Sequence, residues 1–176
     1  MKLIMNAQEI DQTITRVATQ VIESHKNMEH TYVIGLRTRG EFIAQRLVKK
    51  IQQFSGKEVP FGVMDATLYR DDLSMAQSAP ILKGPVSTLD FDDKKVLIVD
   101  DVMFTARTAR SALYCVMDHG RPALVEFFVL IDRGHNELPL YARYKGKEIP
   151  TFRSERVKVC LQEIDDEDAI YITQAQ

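Results

Sequence analysis

The run Val96-Leu97-Ile98-Val99, followed at once by Asp100 and Asp101, constrains the fold of this 176-residue chain more than any other segment. Its residues are apolar, largely β-branched, and do not alternate with polar ones. Such a run suits a parallel strand buried on both faces of an open α/β sheet. Ligands of such sheets sit just past the carboxyl ends of the strands, where this run presents two adjacent carboxylates. Thr105-Ala106-Arg107-Thr108 then forms a small, hydroxyl-bearing turn ahead of a helical stripe at Ala109, Ala112, Leu113, Val116 and Met117. N–H groups at a helix N-terminus hold phosphate, and carboxylates accept hydrogen bonds from sugar hydroxyls. The segment therefore offers one end to a ribose and the other to its 5′-phosphate.

Other readings of the acidic pair are weaker. A Walker B strand needs a Gly-x-x-x-x-Gly-Lys-Ser/Thr partner, and the chain contains none. A phosphoacceptor pocket would not require Thr-x-x-Thr at the next helix start. An ordinary strand-to-helix turn would explain the carboxylates alone but not the whole pattern.

Strand and helix patterns alternate through the first three quarters. Asn6 and Glu9 have capping-box spacing, and Ile10, Ile14, Val17, Ala18, Val21 and Ile22 follow at helical intervals. Ser24 to Thr31 reads as a polar connection, and Tyr32–Leu36 as a strand. A second stripe, Phe42, Ile43, Leu47, Val48 and Ile51, stops at Ser55-Gly56-Lys57. Val59 to Asp65 begins another strand, with Tyr69 as its furthest extent, and Leu124–Ile131 is a further apolar strand. Arg70 to Pro85 is polar and aperiodic, the pattern of a long loop of the kind that serves as a lid. Gly120 stops the helix after Thr108. The fold class is therefore α/β, with a mostly parallel central sheet flanked by helices. We expect one domain over 1–176, with about 132–160 forming a small C-terminal hood. The tail Asp165-Asp166-Glu167-Asp168 reads as a solvated acidic turn.

A net charge of −2 argues against a molecule that attracts nucleic acid as a whole, although a local basic patch is compatible with it. Cys115 and Cys160 lie far apart, outside any zinc spacing, and read as buried small hydrophobes. Met1–Asn6 lacks the apolar core of a signal peptide, and no stretch has transmembrane length. A reduced, cytoplasmic setting is expected.

The turns Arg37-Thr38-Arg39-Gly40 and Asp132-Arg133-Gly134-His135 also follow apolar strands, so they belong on the same sheet edge as Asp100. A basic turn, an acidic pair with a phosphate cradle and a further polar turn suit a phosphorylated ribose with a second anionic group. Arginine forks match such oxygens.

With these segments in view, Val96–Thr108 resembles the signature of type I phosphoribosyltransferases, which bind phosphoribosyl diphosphate (PRPP). Leu36–Gly40, Thr67–Leu73, Asp132–His135 with Glu137-Leu138-Pro139, and Ile149-Pro150-Thr151 with Arg153-Ser154-Glu155 resemble the PyrR family, regulators of pyrimidine operons that are also uracil phosphoribosyltransferases. The likeness runs from about Asp11 to Tyr171 and implies a type I phosphoribosyltransferase-like fold. It implies that Thr38, Arg39 and Gly40 hold the diphosphate, Asp100 and Asp101 the ribose hydroxyls, and Thr105, Ala106, Arg107 and Thr108 the 5′-phosphate. Arg39, Asp100 and Asp101 would carry the catalysis. Arg133 and the backbone near Val157 would face uracil, and Arg70, Asp71 and Asp72 would belong to the lid. Mg²⁺ would travel with PRPP and its waters rather than in a protein cage.

The implied reaction converts uracil and PRPP to UMP and diphosphate. The implied partners are PRPP, uracil, UMP and pyrimidine-operon leader RNA, with a homo-oligomer expected and no membrane. A regulator with little catalysis, or a transferase for another base, are the alternatives. Thr15, Arg16, Arg153 and Arg156 are the candidate RNA contacts, against a reading as solvated surface charge. Three departures from the family pattern stand out. Ala106 occupies a usual glycine position, Thr19 and Ser24 replace a histidine and an arginine of RNA-binding relatives, and Phe152 replaces a common serine.

Overall fold

The computed structural model describes residues 1–26, 28–65, 81–83 and 90–174. In chain order the elements are β1 (Lys2–Asn6), α1 (Ala7–Ser24), β2 (Thr31–Leu36), α2 (Arg39–Ser55), β3 (Phe61–Asp65) and β4 (Ile81–Lys83). There follow β5 (Lys95–Met103), α3 (Arg107–Asp118), β6 (Leu124–Asp132), β7 (Tyr144–Glu148), β8 (Glu155–Cys160), α4 (Gln162–Asp165) and β9 (Ala169–Gln174). The main sheet runs β4-β3-β2-β5-β6-β7, and only its edge strand β4 is antiparallel to its neighbour. The expected α/β fold with a mostly parallel sheet is the one observed.

The uninterrupted apolar run has a simple cause. Leu97 and Val99 face α1 and α2, packing with Ile10, Ile14, Val17, Ile43 and Leu47. Val96 and Ile98 face the opposite side, with Ala109, Ala112 and Val116 of α3. Phe128 and Leu130 of β6 divide from Phe127 and Val129 in the same way. With a helix layer on each face, a central strand has no solvent side on which to place polar residues. Each large aliphatic or aromatic side chain sealed in this way contributes about 1.5–3 kcal/mol relative to exposure.

Local signals set the helix ends. The capping box forms, with the Glu9 N–H donating to Asn6 Oδ1 at 3.0 Å and the Asn6 N–H donating to Glu9 Oε2 at 2.8 Å. Gly56 closes α2 in the left-handed conformation, at φ 70°. Both cysteines are buried, and burial, reinforced by Asp118, pushes the Cys115 thiol up to about 11. Among the described residues no helix is long and apolar enough to cross a membrane.

The chain after Asp132 is the part expected to contribute a hood. Its span of about 132–160 divides between two sheets. β7 continues the main sheet in parallel with β6, pairing Phe128 with Tyr144 and Asp132 with Glu148. Short strand-like pieces were expected from Tyr141 onward, but Tyr144-Lys145-Gly146-Lys147-Glu148 is a charged edge strand with little apolar pattern, so nothing in it signalled membership of the main sheet. A second, antiparallel sheet has the order β1-β9-β8, so it draws one strand from residues 2–6 and two from residues 155–174. Pairing between residues about 170 positions apart leaves no local trace.

Candidate active site

Two glycines bring α2 onto the carboxyl edge of the sheet. A Cβ at Gly35 would stand 2.6 Å from the Glu41 Cα, and one at Gly40 would stand 2.5 Å from the Val99 carbonyl oxygen and 3.0 Å from the Asp100 Cα. Only hydrogen fits at either position, so the first turn of α2 is pressed against the end of β5. The Thr38 side chain makes no hydrogen bond to the N–H groups it precedes, and its peptide bond with Arg37 is cis. Arg39, the first residue of α2, therefore starts beside the acidic pair.

Asp100 and Asp101 lie near the end of β5. Asp100 Oδ1 accepts the Asp101 N–H at 2.9 Å, and Asp101 Oδ1 accepts the Val102 N–H at 2.8 Å. Burial pushes the Asp101 carboxyl above the ordinary carboxylate range, opposed by hydrogen bonding with Asp100 and Val102 and by the charge of Arg39. The Arg39 Nη2 donates to Asp165 Oδ1 at 3.1 Å and Oδ2 at 3.2 Å. Its Nε is the one buried side-chain nitrogen or oxygen among the described residues that has no hydrogen-bond partner. An orphaned charged donor beside a carboxylate pair is costly unless something occupies the space before it. Arg37 points elsewhere: it is half exposed, 3.8 Å from Asp65.

After β5 the chain turns through Thr105 and Ala106 into α3. Ala106 sits in the left-handed region at φ 68°, ψ 10°, and is buried. A Cβ there costs about 1 kcal/mol, so the alanine fills a place shaped for glycine. Among the described residues no side chain caps the α3 N-terminus, and no acidic residue occupies its first turn. That is the environment in which the N–H groups of a helix start accept an external anion. Thr105 accepts the Glu137 N–H through its carbonyl at 3.0 Å, while Arg107 and Thr108 are exposed. Glu137 binds Arg107 Nε at 3.1 Å and Arg153 Nη1 at 3.4 Å.

The turn after β6 forms the third side. Arg133 lies with its guanidinium carbon 3.9 Å from the Phe104 ring centroid. Its Nε donates to Thr151 Oγ1 at 2.9 Å, and its Nη2 to the carbonyls of Glu155 at 2.7 Å and Phe152 at 3.3 Å. His135 Nε2 lies 2.6 Å from the Thr151 carbonyl, and its ring meets Phe104 edge-on. Arg133 thereby ties the end of β6 to the start of β8, where Val157 is partly buried against the core.

Thr38, Arg39, Gly40, Asp100, Asp101, Thr105, Ala106 and Arg133 thus border one edge of the main sheet. Arg70, Asp71 and Asp72 lie outside the described residues. The four candidate RNA contacts are held on different elements. Arg16 of α1 donates to the Lys145 and Gly146 carbonyls of β7 at 3.0 and 3.1 Å, and the Thr15 hydroxyl bonds the Asp11 carbonyl. Arg153 meets Glu137 beside α3, and Arg156 is exposed on β8. Sequence reasoning missed the role of the acidic tail. Asp165 and Asp168 are not simply solvated: Asp165 holds Arg39, and Asp168 joins Glu163 in gripping Arg46 at 2.6–2.7 Å. Charge density was the only visible signal, and it suits solvation equally well.

Residues 2–164 match the phosphoribosyl transferase domain family. The chain belongs to that family. It is also 44% identical over 172 residues to the Bifunctional protein PyrR of Bacillus cereus (strain AH820), covering 97% of this chain and 96% of that one. The Bifunctional protein PyrR of Bacillus mycoides (strain KBAB4) matches with the same identity and coverage. The chain is therefore a PyrR-family phosphoribosyltransferase. Among solved structures, the hypoxanthine phosphoribosyltransferase of Trypanosoma cruzi superposes with a TM-score of 0.75 at 18% identity, covering 100% of this chain and 98% of that one. The enzyme of the same description from Staphylococcus aureus gives 0.69 at 16%, covering 99% and 91%. These two likenesses establish the fold alone, and the PyrR relatives establish the family.

Proposed function

We propose that this chain transfers the phosphoribosyl group of PRPP to uracil N1, releasing diphosphate and forming UMP. The observation that carries the reading is the convergence, on one sheet edge, of a carboxylate pair, an uncapped helix start and a buried arginine donor without a partner. Asp100 and Asp101 accept the ribose 2′- and 3′-hydroxyls. The turn 105–108 receives the 5′-phosphate, and Thr38, Arg39 and Gly40 receive the diphosphate.

As the C1–O bond breaks, positive charge grows on the ribose and negative charge on the departing diphosphate. Arg39 and the α2 N-terminus stabilise the latter because they are in place beforehand. Uracil N1 forms the new bond to C1 as the C1–O bond breaks, and the N1 proton passes to the departing diphosphate, whose oxygens gain the charge. The described residues around the base offer no general base: Phe104 cannot serve, and His135 is engaged with Thr151. Arg133 and the Val157 backbone border the place for the base. The carboxylate oxygens of Asp100 and Asp101 suit Mg²⁺ as hard ligands, yet both residues already accept backbone N–H groups, so the ion would be held chiefly by PRPP oxygens and water. When bound, it supplies charge neutralisation on the diphosphate. An assay of PRPP-dependent nucleotide formation with uracil, orotate, hypoxanthine and guanine tests the reading: uracil should lead, and preference for another base would replace it.

A second activity, UMP-sensitive binding of pyrimidine-operon leader RNA, is what the resemblance to the PyrR family implies. We infer that it is weak in this chain, or directed to a different RNA from that of typical relatives. Arg16 is spent partly on β7 carbonyls, and the Thr19 and Ser24 hydroxyls bond carbonyls of their own helix, at 3.2 and 2.8 Å. Each lost cationic phosphate contact removes part of the salt-dependent affinity. Titration of leader RNA at near-physiological salt, with and without UMP, decides the matter. Tight, sequence-specific, UMP-enhanced binding would overturn the inference.

A further inference from the structure

We propose that Asp165 is a positioning residue for catalysis, holding the Arg39 guanidinium in the orientation that meets the leaving diphosphate. This rests on the assignment of Arg39 to the diphosphate. Arg39 is about a third exposed, at 31%, so packing alone does not fix its side chain. A free arginine side chain samples many rotamers. Asp165 removes that freedom by taking Nη2 on both carboxylate oxygens, while leaving Nε buried and without a partner.

Asp165 is itself immobilised. Its Oδ2 accepts the Leu161 N–H at 3.0 Å, and its own N–H donates back to the Leu161 carbonyl at 2.7 Å. The Leu161 N–H, with the charge of Arg39, holds the carboxyl below the ordinary range. The turn is further anchored on α2 by Arg46. That guanidinium pairs with Glu163 through Nε and Nη2, at 2.9 and 2.6 Å, and with Asp168 through Nη1 and Nη2, at 3.0 and 2.7 Å. Two arginines of one helix, Arg39 and Arg46, thus grip the short acidic segment that joins β8 to β9, and among the described residues Arg39 Nε is the buried nitrogen left without a partner. The segment acts as a fixed bracket whose free end faces the reaction.

Orientation matters most when charge is greatest, in the transition state. Asp165→Asn keeps the acceptor for Leu161 and removes the charge that grips Arg39. We expect kcat to fall about tenfold, equivalent to about 1.4 kcal/mol. Equilibrium affinity for PRPP should change less than threefold, and KM for uracil and the melting temperature should be unchanged. Asp165→Glu should recover part of the rate. Asp166→Asn, a charge loss one residue away on an exposed turn, should behave as wild type. In an Arg39→Lys background Asp165→Asn should cost nothing further, because the fork it orients is gone.

Three results would overturn the proposal: kcat within twofold of wild type, the same tenfold loss in both backgrounds, or tighter diphosphate binding with unchanged kcat. The last would make Asp165 a competitor of the ligand. Arg39→Lys with wild-type kcat and diphosphate affinity would instead remove the underlying assignment of Arg39, a result distinguishable from the other three.

Discussion

Two polar clusters occupy opposite ends of the same parallel strands, and they are finished to different degrees. At the amino ends, His25 lies between Thr31 and Glu126, with ring nitrogens 2.9 Å from Thr31 Oγ1 and 2.8 Å from Glu126 Oε2. The Tyr144 hydroxyl donates to Glu126 Oε2 at 3.1 Å, and Arg143 Nε meets Oε1 at 2.8 Å. Every polar group there is answered from within the chain. At the carboxyl ends, Arg39 Nε has no partner and the start of α3 no cap among the described residues, burial raises the Asp101 carboxyl, and Ala106 bears a left-handed backbone. A network satisfied by its own chain consolidates a fold, whereas one left incomplete is completed by something that arrives.

The comparison can be broken most directly at Asp100 and Asp101. Asparagine at either position should lower kcat/KM with PRPP and uracil by about two to three orders of magnitude, the scale of losing a preorganised electrostatic contact. Stability in urea should change by less than about 1 kcal/mol, because an amide in place of the buried Asp101 carboxylate avoids the desolvation of a charge. Wild-type kinetics in both variants would remove the site.

At the other end the opposite pattern is expected. Glu126→Gln should destabilise the protein by about 1–3 kcal/mol, since it weakens the charge-assisted hydrogen bonds that a buried carboxylate makes with His25, Tyr144 and Arg143, and leave kcat within about twofold. Its pH dependence sharpens the test. Burial alone would raise the Glu126 carboxyl, but His25, Tyr144 and Arg143 together outweigh it and hold the group below its ordinary value. A depressed carboxyl gives stability that is present above the unfolded value, about 4.3, and lost as pH falls through the folded one. Denaturation measured between neutral pH and about pH 3 should therefore show a steeper loss in wild type than in Glu126→Gln. Parallel curves would show that Glu126 contributes no linkage.

The smallest effect is expected at Ala106. Glycine there should relieve about 1 kcal/mol of left-handed strain, partly offset by the entropy of a freer unfolded chain. PRPP affinity, measured by titration calorimetry, should hold or improve. A clear loss would mean that the methyl group makes a contact the ligand needs.

Much of the carboxyl-end cluster was legible in the sequence because its signals are local. A β-branched run, two carboxylates, a small turn and a helical stripe occupy 22 consecutive positions from Val96 to Met117. Even the positive φ at Ala106 was foreshadowed by the resemblance to a family pattern in which glycine is usual at that place. The amino-end cluster was not legible. His25 lay in what read as a polar connection, and its partner Glu126 is 101 residues away inside an apolar strand. The acidic tail failed for a related reason: whether Asp165 faces water or Arg39 depends on how the second sheet docks, across 126 residues of chain. Pattern reports which face of an element is buried; it does not report which distant charge will be waiting there.

The placement of α2 and α3 on opposite faces of the sheet has a consequence for selectivity. The strand order 4-3-2-5-6-7 runs outward in both directions from the β2–β5 pair, so the two helices that follow these strands depart to opposite sides. Neither N-cap side chain bonds its helix's first N–H groups, and each helix begins at the same end of the sheet. Two partial positive poles therefore flank one crevice, and their separation is set by the thickness of the sheet rather than by any loop. Such a pair measures length: a molecule with anions at both ends can satisfy both poles, and one with a single anion satisfies only one. Cleaving the bond between the ends divides the ligand into two such pieces, each holding on by one pole, so turnover itself loosens the grip.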